Sequence, residues 1–193
     1  MFGEIRQKIG DYILIPLHSS ENREYIPIGF FDQNTICGNA NSMIPSASLY
    51  DFSILTSKMS MAWVRAVCGR IKSDFRYSNT IVYNNFPWPL SPSKEVENRC
   101  STAASSILKS RSLHSNSNLA SLYDPLTMPL DLRESHDSND RAVDKAYGYK
   151  GKDDDASRVA FLLKFYEEQT SLLPASQTKK RRTKIDVVNK ELL

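Results

Sequence analysis

The residues whose types and spacing could do chemistry lie in one polar segment, positions 69–79. Within it Lys72, Asp74 and Arg76 stand at every second position. If the segment is extended, a period of two places these three side chains on one side of the chain. Lysine and arginine can donate to O6 and N7 of guanine, and aspartate can accept from N4 of cytosine. A Lys-x-Asp pair could therefore hold both members of one G·C base pair.

The competing interpretation of this segment is a surface strand that carries an ion pair. Such pairs are common on protein surfaces and contribute little to stability, so the spacing alone does not select base recognition. The aromatic residues Phe75 and Tyr77 alternate with the polar ones. We expect them to face the interior and to anchor the strand.

Motifs that would complete an active site are missing from the sequence. The seven glycines are scattered and form no G-x-G-x-x-G loop of the kind that cradles a nucleotide. Three cysteines without a C-x-x-C pair and three distant histidines predict neither a disulfide framework nor a local metal site. The order Asn-Phe-Pro-Trp at 85–88 lacks the consecutive prolines of the Asn-Pro-Pro-Tyr loop of amino-methyltransferases. No catalytic, cofactor-binding or metal-binding residue is therefore predicted.

Composition limits the class of protein. With 193 residues, 40% of them hydrophobic, the chain has room for one medium domain or two small ones. No apolar run approaches the roughly 20 residues that span a bilayer, and the N-terminus lacks the apolar core of a secretory signal. The net charge of +3 is concentrated in residues 176–193, which carry six basic and two acidic residues. We expect this tail to be disordered, although such a run could also contact nucleic acid or serve as a nuclear address.

The elements that must position the polar segment form a mixed α/β region over residues 1–90. Apolar runs rich in β-formers predict strands at 12–15, 25–31 and 80–83. Apolar residues recur at intervals of three and four from Ser48 to Ala66 and predict one helix, with Gly69 as its stop. The polar segment then connects this helix to the last strand. Residues Gly38–Ser42 have the composition of a turn.

Three prolines between 87 and 92 predict a boundary, and helices follow it. Ser91, followed by Pro92, or Ser93 can cap the first of them, residues 110–118 indicate a loop, and a second helix is expected over 140–147 with Gly148 past its end. A last helix is predicted over 156–173, with Val159, Leu162, Leu163 and Tyr166 facing inward. The predicted fold class is α+β: a mixed α/β half-domain over 1–90, a small helical domain over 91–175 and a basic tail over 176–193.

Several phrases of the sequence occur together, in order, in one known family: Tyr25–Phe30, Ala62–Arg65, Lys72–Ser78, Val82–Pro89, Leu119–Pro129 and Asp140–Gly148. Through them the chain resembles the carboxy-terminal part of MmeI-like restriction–modification enzymes. These are single-chain adenine DNA methyltransferases, usually fused to an endonuclease. The resemblance implies that residues 1–90 are the second half of a target recognition domain and residues 91–175 the helical C-terminal domain beside it.

The resemblance also implies DNA-binding residues. Family members with Lys-x-Asp at the position of Lys72 and Asp74 tend to recognise G after the methylated adenine, and those with Glu-x-Arg recognise C. Arg76, Asn39 and Ala40 match positions that recognise bases further upstream. Leu17 is expected to be another such position. Double-stranded DNA is the implied partner.

The family's nuclease motif, cofactor-binding glycine motif and Asn-Pro-Pro-aromatic loop lie upstream of what this chain contains. The resemblance therefore implies a fragment that neither methylates nor cuts DNA alone. It would work beside the methyltransferase domain of the same full-length protein, which binds S-adenosylmethionine, in the cytoplasm and away from any membrane. Whether the parent protein also cleaves DNA stays open.

The alternative function is a protein-interaction module with a basic tail and no base-specific recognition. Lysine and arginine nearly balance aspartate and glutamate over residues 1–175, so the body of the chain is close to neutral. An autonomous DNA-binding domain usually has a broad basic face, and this feature favours the alternative.

Overall fold

The computed structural model describes residues 10–171. It has the predicted α+β fold class, with six short strands and six α-helices in that range. The strands are β1 (Tyr12–Pro16), β2 (His18–Ser19), β3 (Gly29–Phe31), β4 (Asn41–Pro45), β5 (Gly69–Ile71) and β6 (Asp74–Arg76). The helices are α1 (Leu49–Leu55), α2 (Lys58–Val67), α3 (Lys94–Leu113), α4 (Leu119–Leu122), α5 (Leu130–Tyr147) and α6 (Asp155–Thr170). The predicted basic tail lies outside the described residues.

Two small antiparallel sheets form the first half. In one, β1 is the central strand between β3 and β4; in the other, β6 is central between β2 and β5. The apolar run predicted as a strand at 12–15 is confirmed as β1, and Ile13 and Ile15 are fully buried. Because β1 and β2 follow each other almost directly, one short stretch of chain contributes a strand to each sheet.

The single helix predicted from Ser48 to Ala66 is wrong, because two helices share that stretch. The Ser48 side chain caps α1 in a capping box with Asp51, and the Ser57 side chain starts α2 by accepting a hydrogen bond from the N–H of Ser60. Between the helices Thr56 donates its hydroxyl hydrogen bond back to the Phe52 carbonyl at 2.7 Å. Such side-chain bonds compete with helix continuation, and they break the apolar pattern into two pieces.

Two predicted strands also differ from the structure. Residues Asn79–Tyr83 form a π-helical turn, in which the Ser78 side chain accepts from the N–H of Ile81 and the Asn85 side chain donates to two carbonyls of the turn. The indole N–H of Trp63 donates to the Val82 carbonyl at 3.0 Å and fixes this turn to α2. Of the strand predicted over residues 25–31, only the last three residues pair with another strand, as β3. In both cases contacts with distant residues overrode a local β-propensity.

Two helices of the second half are longer than predicted, whereas the last one, predicted over 156–173, is shorter and spans Asp155–Thr170. Ser93 caps α3 as predicted, but the helix continues to Leu113 because Ser110 and Arg111 are buried. The helix that ends at Gly148 is confirmed at that end, where Gly148 has φ +65°, yet α5 begins ten residues earlier than predicted. In α6 Leu162 is buried, whereas Leu163 is 51% exposed and does not face inward.

The two halves pack directly on each other. Helix α3 lies between α1 and α5, and α6 packs on α2. One cluster of buried side chains runs from Ile13 in β1 to Leu162 in α6. No helix within residues 10–171 is long and apolar enough to cross a membrane. The helical half therefore supports the sheets that carry the polar segment.

Candidate nucleic-acid interface

The polar segment forms a β-hairpin rather than one extended strand. Strands β5 and β6 pair antiparallel with Ile71 opposite Asp74, so that Lys72 and Ser73 are the two turn residues. Lys72 has φ +57° and Ser73 does not have a positive φ, which matches the φ signs of a type II′ turn. The prediction that Lys72, Asp74 and Arg76 share one strand face is therefore wrong for Lys72, which lies at the hairpin tip.

Strand β6 has one exposed and one buried face. Asp74 and Arg76 are exposed, while Phe75 between them is 1% exposed. Tyr77 is also buried, and burial raises the pKa of its phenol. These aromatic side chains anchor the strand as predicted. Their burial fixes which side of β6 is left for a partner.

Leu17 connects the hairpin to the turn at Gly38–Asn41. Its N–H donates to the Ala40 carbonyl at 3.0 Å, and its own carbonyl accepts from the Tyr77 N–H at 2.8 Å. The next residue, His18, lies opposite Arg76 in the ladder between β2 and β6. The structure thus brings the predicted residues Asn39, Ala40, Leu17 and Arg76 into neighbouring positions.

We name these residues, together with Asp74 and Lys72 further along the hairpin, the recognition edge. All of its members are exposed except Leu17, which is half-buried. Among the described residues, neither Lys72 nor Arg76 has an ion-pair partner. Asp74 accepts the Glu21 N–H with Oδ1 at 3.2 Å, and its Oδ2 has no hydrogen-bond partner within residues 10–171. The edge thus offers two cations, one carboxylate oxygen and a backbone turn to a partner.

Sequence reasoning missed two residues that shape this edge, Arg70 and Glu21. Arg70 lies in β5, places its guanidinium 4.1 Å from the centroid of the Phe75 ring and donates to the Ser73 carbonyl at 2.8 Å. Glu21 follows β2 and pairs with Arg70 at 3.7 Å. Arg70 falls inside the polar segment and could have been found there. Glu21 is about 50 residues away, and no local signal indicates its contact.

A second set of polar side chains is buried between the two halves of the molecule. Asp140 accepts the Tyr25 hydroxyl with Oδ2 and the Lys58 N–H with Oδ1, both at 2.7 Å. Burial raises the pKa of Asp140 to about 7, against the opposing effect of these two hydrogen bonds. The Tyr25 ring stacks on His136 with 4.1 Å between centroids.

The same network continues into α3 and α4. The His136 ring nitrogen Nε2 is 2.6 Å from the Tyr123 hydroxyl, which also accepts from the Arg111 guanidinium at 2.9 Å. Arg111 donates in addition to the Ile28 carbonyl at 2.8 Å. Burial lowers the pKa of His136 well below its usual value. We name these residues the buried polar network: Tyr25, Lys58, Arg111, Tyr123, His136 and Asp140.

The described residues contain no group of three histidine, cysteine, aspartate or glutamate side chains that could hold a metal ion. None of the three cysteines forms a disulfide within residues 10–171, and burial raises the pKa of each thiol. A thiol with a raised pKa is a poor nucleophile. The recognition edge is therefore the surface of residues 10–171 whose exposed groups best fit a binding function.

Comparisons with known proteins find matches for both halves of the chain. Residues 1–90 match the family model described as MmeI, target recognition domain, and residues 92–174 match the model described as MmeI, C-terminal domain. DNA methyltransferase A of Bacillus subtilis (strain 168) is 42% identical over 158 residues, which is 82% of this chain and 18% of that protein.

A solved structure is also similar: the type IIL restriction–modification enzyme MmeI in complex with DNA. It is 48% identical, has a TM-score of 0.83, and the match covers 87% of this chain and 22% of that one. The chain thus spans about a fifth of the length of each relative. These matches do not favour a protein-interaction module.

Proposed function

The chain belongs to the MmeI family, of which it carries target recognition and C-terminal domains, and we propose that it is the sequence-specific DNA recognition region of an adenine-N6 DNA methyltransferase of the restriction–modification type. The observation that supports this most is the recognition edge. Leu17 joins the turn at Asn39 and Ala40 to a hairpin whose tip and outer face carry unpaired polar groups.

The hairpin tip is suited to one G·C base pair. The Lys72 ammonium would donate to O6 or N7 of guanine, and Oδ2 of Asp74 would accept from N4 of the paired cytosine. The other oxygen of Asp74 is held by the Glu21 N–H, which orients the carboxylate before DNA arrives. A pair of such contacts contributes about 1–3 kcal/mol of discrimination against the wrong base.

The rest of the recognition edge would contact bases further along the duplex. A strand rises about 3.3 Å per residue and DNA about 3.4 Å per base pair. Arg76, two residues from Asp74, would therefore reach a base about two steps away. Leu17, then Ala40 and Asn39, continue the same edge beyond Arg76, so their contacts would follow in that order.

The methyl donor would be bound by the rest of the parent enzyme. The glycines of this chain serve its own fold: a Cβ at Gly29 would meet the Phe31 ring, Gly69 opens β5 and Gly148 ends α5. Gly148 and Gly151 lie in the loop before α6, but the described residues contain no G-x-G-x-x-G pattern of the kind that cradles a nucleotide, so they do not fit S-adenosylmethionine. We propose that the methyltransferase domain of the same protein binds it, in the cytoplasm.

The test exchanges the two residues at the hairpin tip. The 193-residue chain is used to select duplexes from a randomised library at low salt, and the selected sequences are read. We expect the variant Lys72→Glu with Asp74→Arg to change the preference from G to C at one position. The matched control Lys94→Glu with Glu97→Arg exchanges an exposed ion pair on α3 and should change nothing. A preference that is the same in wild type and hairpin variant would contradict the proposal.

A further inference from the structure

The tip of the hairpin is exposed and holds a strained residue. Residues 69–74 are all exposed, and Lys72 has φ +57°, a conformation that is unfavourable for a residue with a Cβ. The antiparallel pairing of Ile71 with Asp74 closes the turn. Side chains around the turn add contacts that hold Lys72 in this conformation.

Arg70 makes three contacts that hold the tip. Its Nη1 donates to the Ser73 carbonyl across the turn at 2.8 Å, and its guanidinium covers the buried Phe75 ring at 4.1 Å. The same Nη1 is 3.7 Å from Oε2 of Glu21. The guanidinium is thus fixed between the turn, strand β6 and the segment after β2.

Glu21 completes the arrangement from outside the hairpin. Its carboxylate pairs with Arg70, and its N–H donates to Oδ1 of Asp74 at 3.2 Å. Glu21 therefore holds both the Arg70 guanidinium, which supports the turn, and the exposed Asp74 carboxylate. This leaves Oδ2 of Asp74 and the Lys72 ammonium as the groups free to contact a base pair.

From these contacts we propose that Arg70 and Glu21 are positioning residues that set how strictly the hairpin tip discriminates its base pair. The proposal rests on the function proposed above. Neither side chain is needed for a base contact. Discrimination by hydrogen bonds requires the donor and acceptor to be held within about 0.5 Å of the productive geometry, and a released turn would let Lys72 and Asp74 accept other base pairs.

The test measures base preference position by position in the duplex selection. Arg70→Leu keeps an apolar cover over Phe75 but removes the hydrogen bond and the ion pair. We expect discrimination at the position read by Lys72 and Asp74 to fall about tenfold, with the preferences at other positions unchanged. Arg70→Lys keeps the charge toward Glu21 and should retain part of the discrimination. Arg99→Leu, an exposed arginine paired with Glu95 on α3, is the control and should have no effect.

The variant Glu21→Gln keeps the N–H that holds Asp74 and removes the ion pair, so a smaller loss at the same position is expected. It tests the proposal even if Arg70→Leu does not fold. Unchanged discrimination in both variants would overturn the positioning role. So would an equal loss at all positions, because that result means collapse of the hairpin. A wild-type chain that selects no sequence would instead refute the proposed function itself.

Discussion

The recognition edge and the buried polar network use similar residue types in opposite ways. On the edge, Lys72 and Arg76 have no ion-pair partner among the described residues and face solvent. In the network, Arg111 and Asp140 are buried and each makes two or more hydrogen bonds. Neither residue type nor clustering therefore distinguishes a candidate binding surface from a structural network. The site is identified by the hydrogen-bonding capacity that the fold leaves unused.

The two regions are also physically connected. The network fixes Tyr25 to Asp140 of α5, and the neighbouring Glu24 pairs with Arg133 of the same helix at 2.8 Å. Glu21, which supports the hairpin tip, lies only three residues before Glu24. The helical half therefore holds the segment that positions the recognition edge. We therefore expect the C-terminal domain to influence recognition through the position of this segment.

Removal of the Asp140 carboxylate should have the largest effect on stability. Asp140→Ala leaves the Tyr25 hydroxyl and the Lys58 N–H without an acceptor in the interior, and we expect a loss of about 2–4 kcal/mol in the free energy of unfolding. Denaturant unfolding measures it. The control is Asp137→Ala on the same helix, whose half-buried carboxylate lies 3.6 Å from the Lys58 ammonium. Equal losses in the two variants would mean that the network contributes no more than a surface ion pair.

The pH dependence of stability isolates the same carboxyl group. Its pKa of about 7 in the folded protein is above the value near 3.9 of an unfolded chain. The folded state therefore binds this proton more tightly, and the resulting stability is complete below about pH 4 and is lost as the pH rises to about 7. His136, whose pKa is lowered, acts in the opposite direction and loses stability as the pH falls.

Asp140→Asn separates the two groups because the amide does not titrate. We expect the stability of the wild type relative to this variant to fall between pH 4 and 7, by at most about 1.4 kcal/mol per pH unit. Unfolding curves of both proteins at several pH values give the difference directly, and the contribution of His136 cancels in it. A difference that stays constant over this range would show that Asp140 is ionised throughout.

What the sequence predicts depends on how local the determining contacts are. Strand β1, the Ser93 cap and the stop at Gly148 follow from residues within one turn or strand, and all three are confirmed. The hairpin and the π-helical turn were missed because local contacts, such as the Ser78 cap, are completed by residues outside the segment, such as Trp63 for the turn and Glu21 for the hairpin.

The same limit applies to the site. The polar segment is evident in the sequence, and the resemblance adds Leu17, Asn39 and Ala40, whose roles in binding DNA stay predictions. Their residue types give no indication that they lie beside the hairpin. Leu17 acts in the fold through its backbone N–H and carbonyl, which every residue except proline possesses. These residues lie beside the hairpin because of backbone hydrogen bonds between segments that are distant in the sequence, and only the structure reveals such bonds.

The smallest expected effect on stability is the most direct test of the contrast between the two regions. Lys72→Gly relieves the strain of a positive φ, which costs the folded protein roughly 1–2 kcal/mol. Glycine also gives the unfolded chain more conformational freedom, which lowers the stability of the folded state by about 0.4–1 kcal/mol. We expect a net gain of about 0.5–1 kcal/mol in denaturant unfolding, together with loss of base preference at the hairpin tip. Lys72→Ala, which keeps the strain, should lose the preference without becoming more stable. If glycine at position 72 makes the protein more stable, the lysine there is explained by binding rather than by stability. In the buried polar network, by contrast, a substitution gives no such gain in stability unless the hydrogen bonds of the replaced residue are also replaced. If Lys72→Gly is not more stable than Lys72→Ala, the tip carries no strain and the contrast rests on exposure alone.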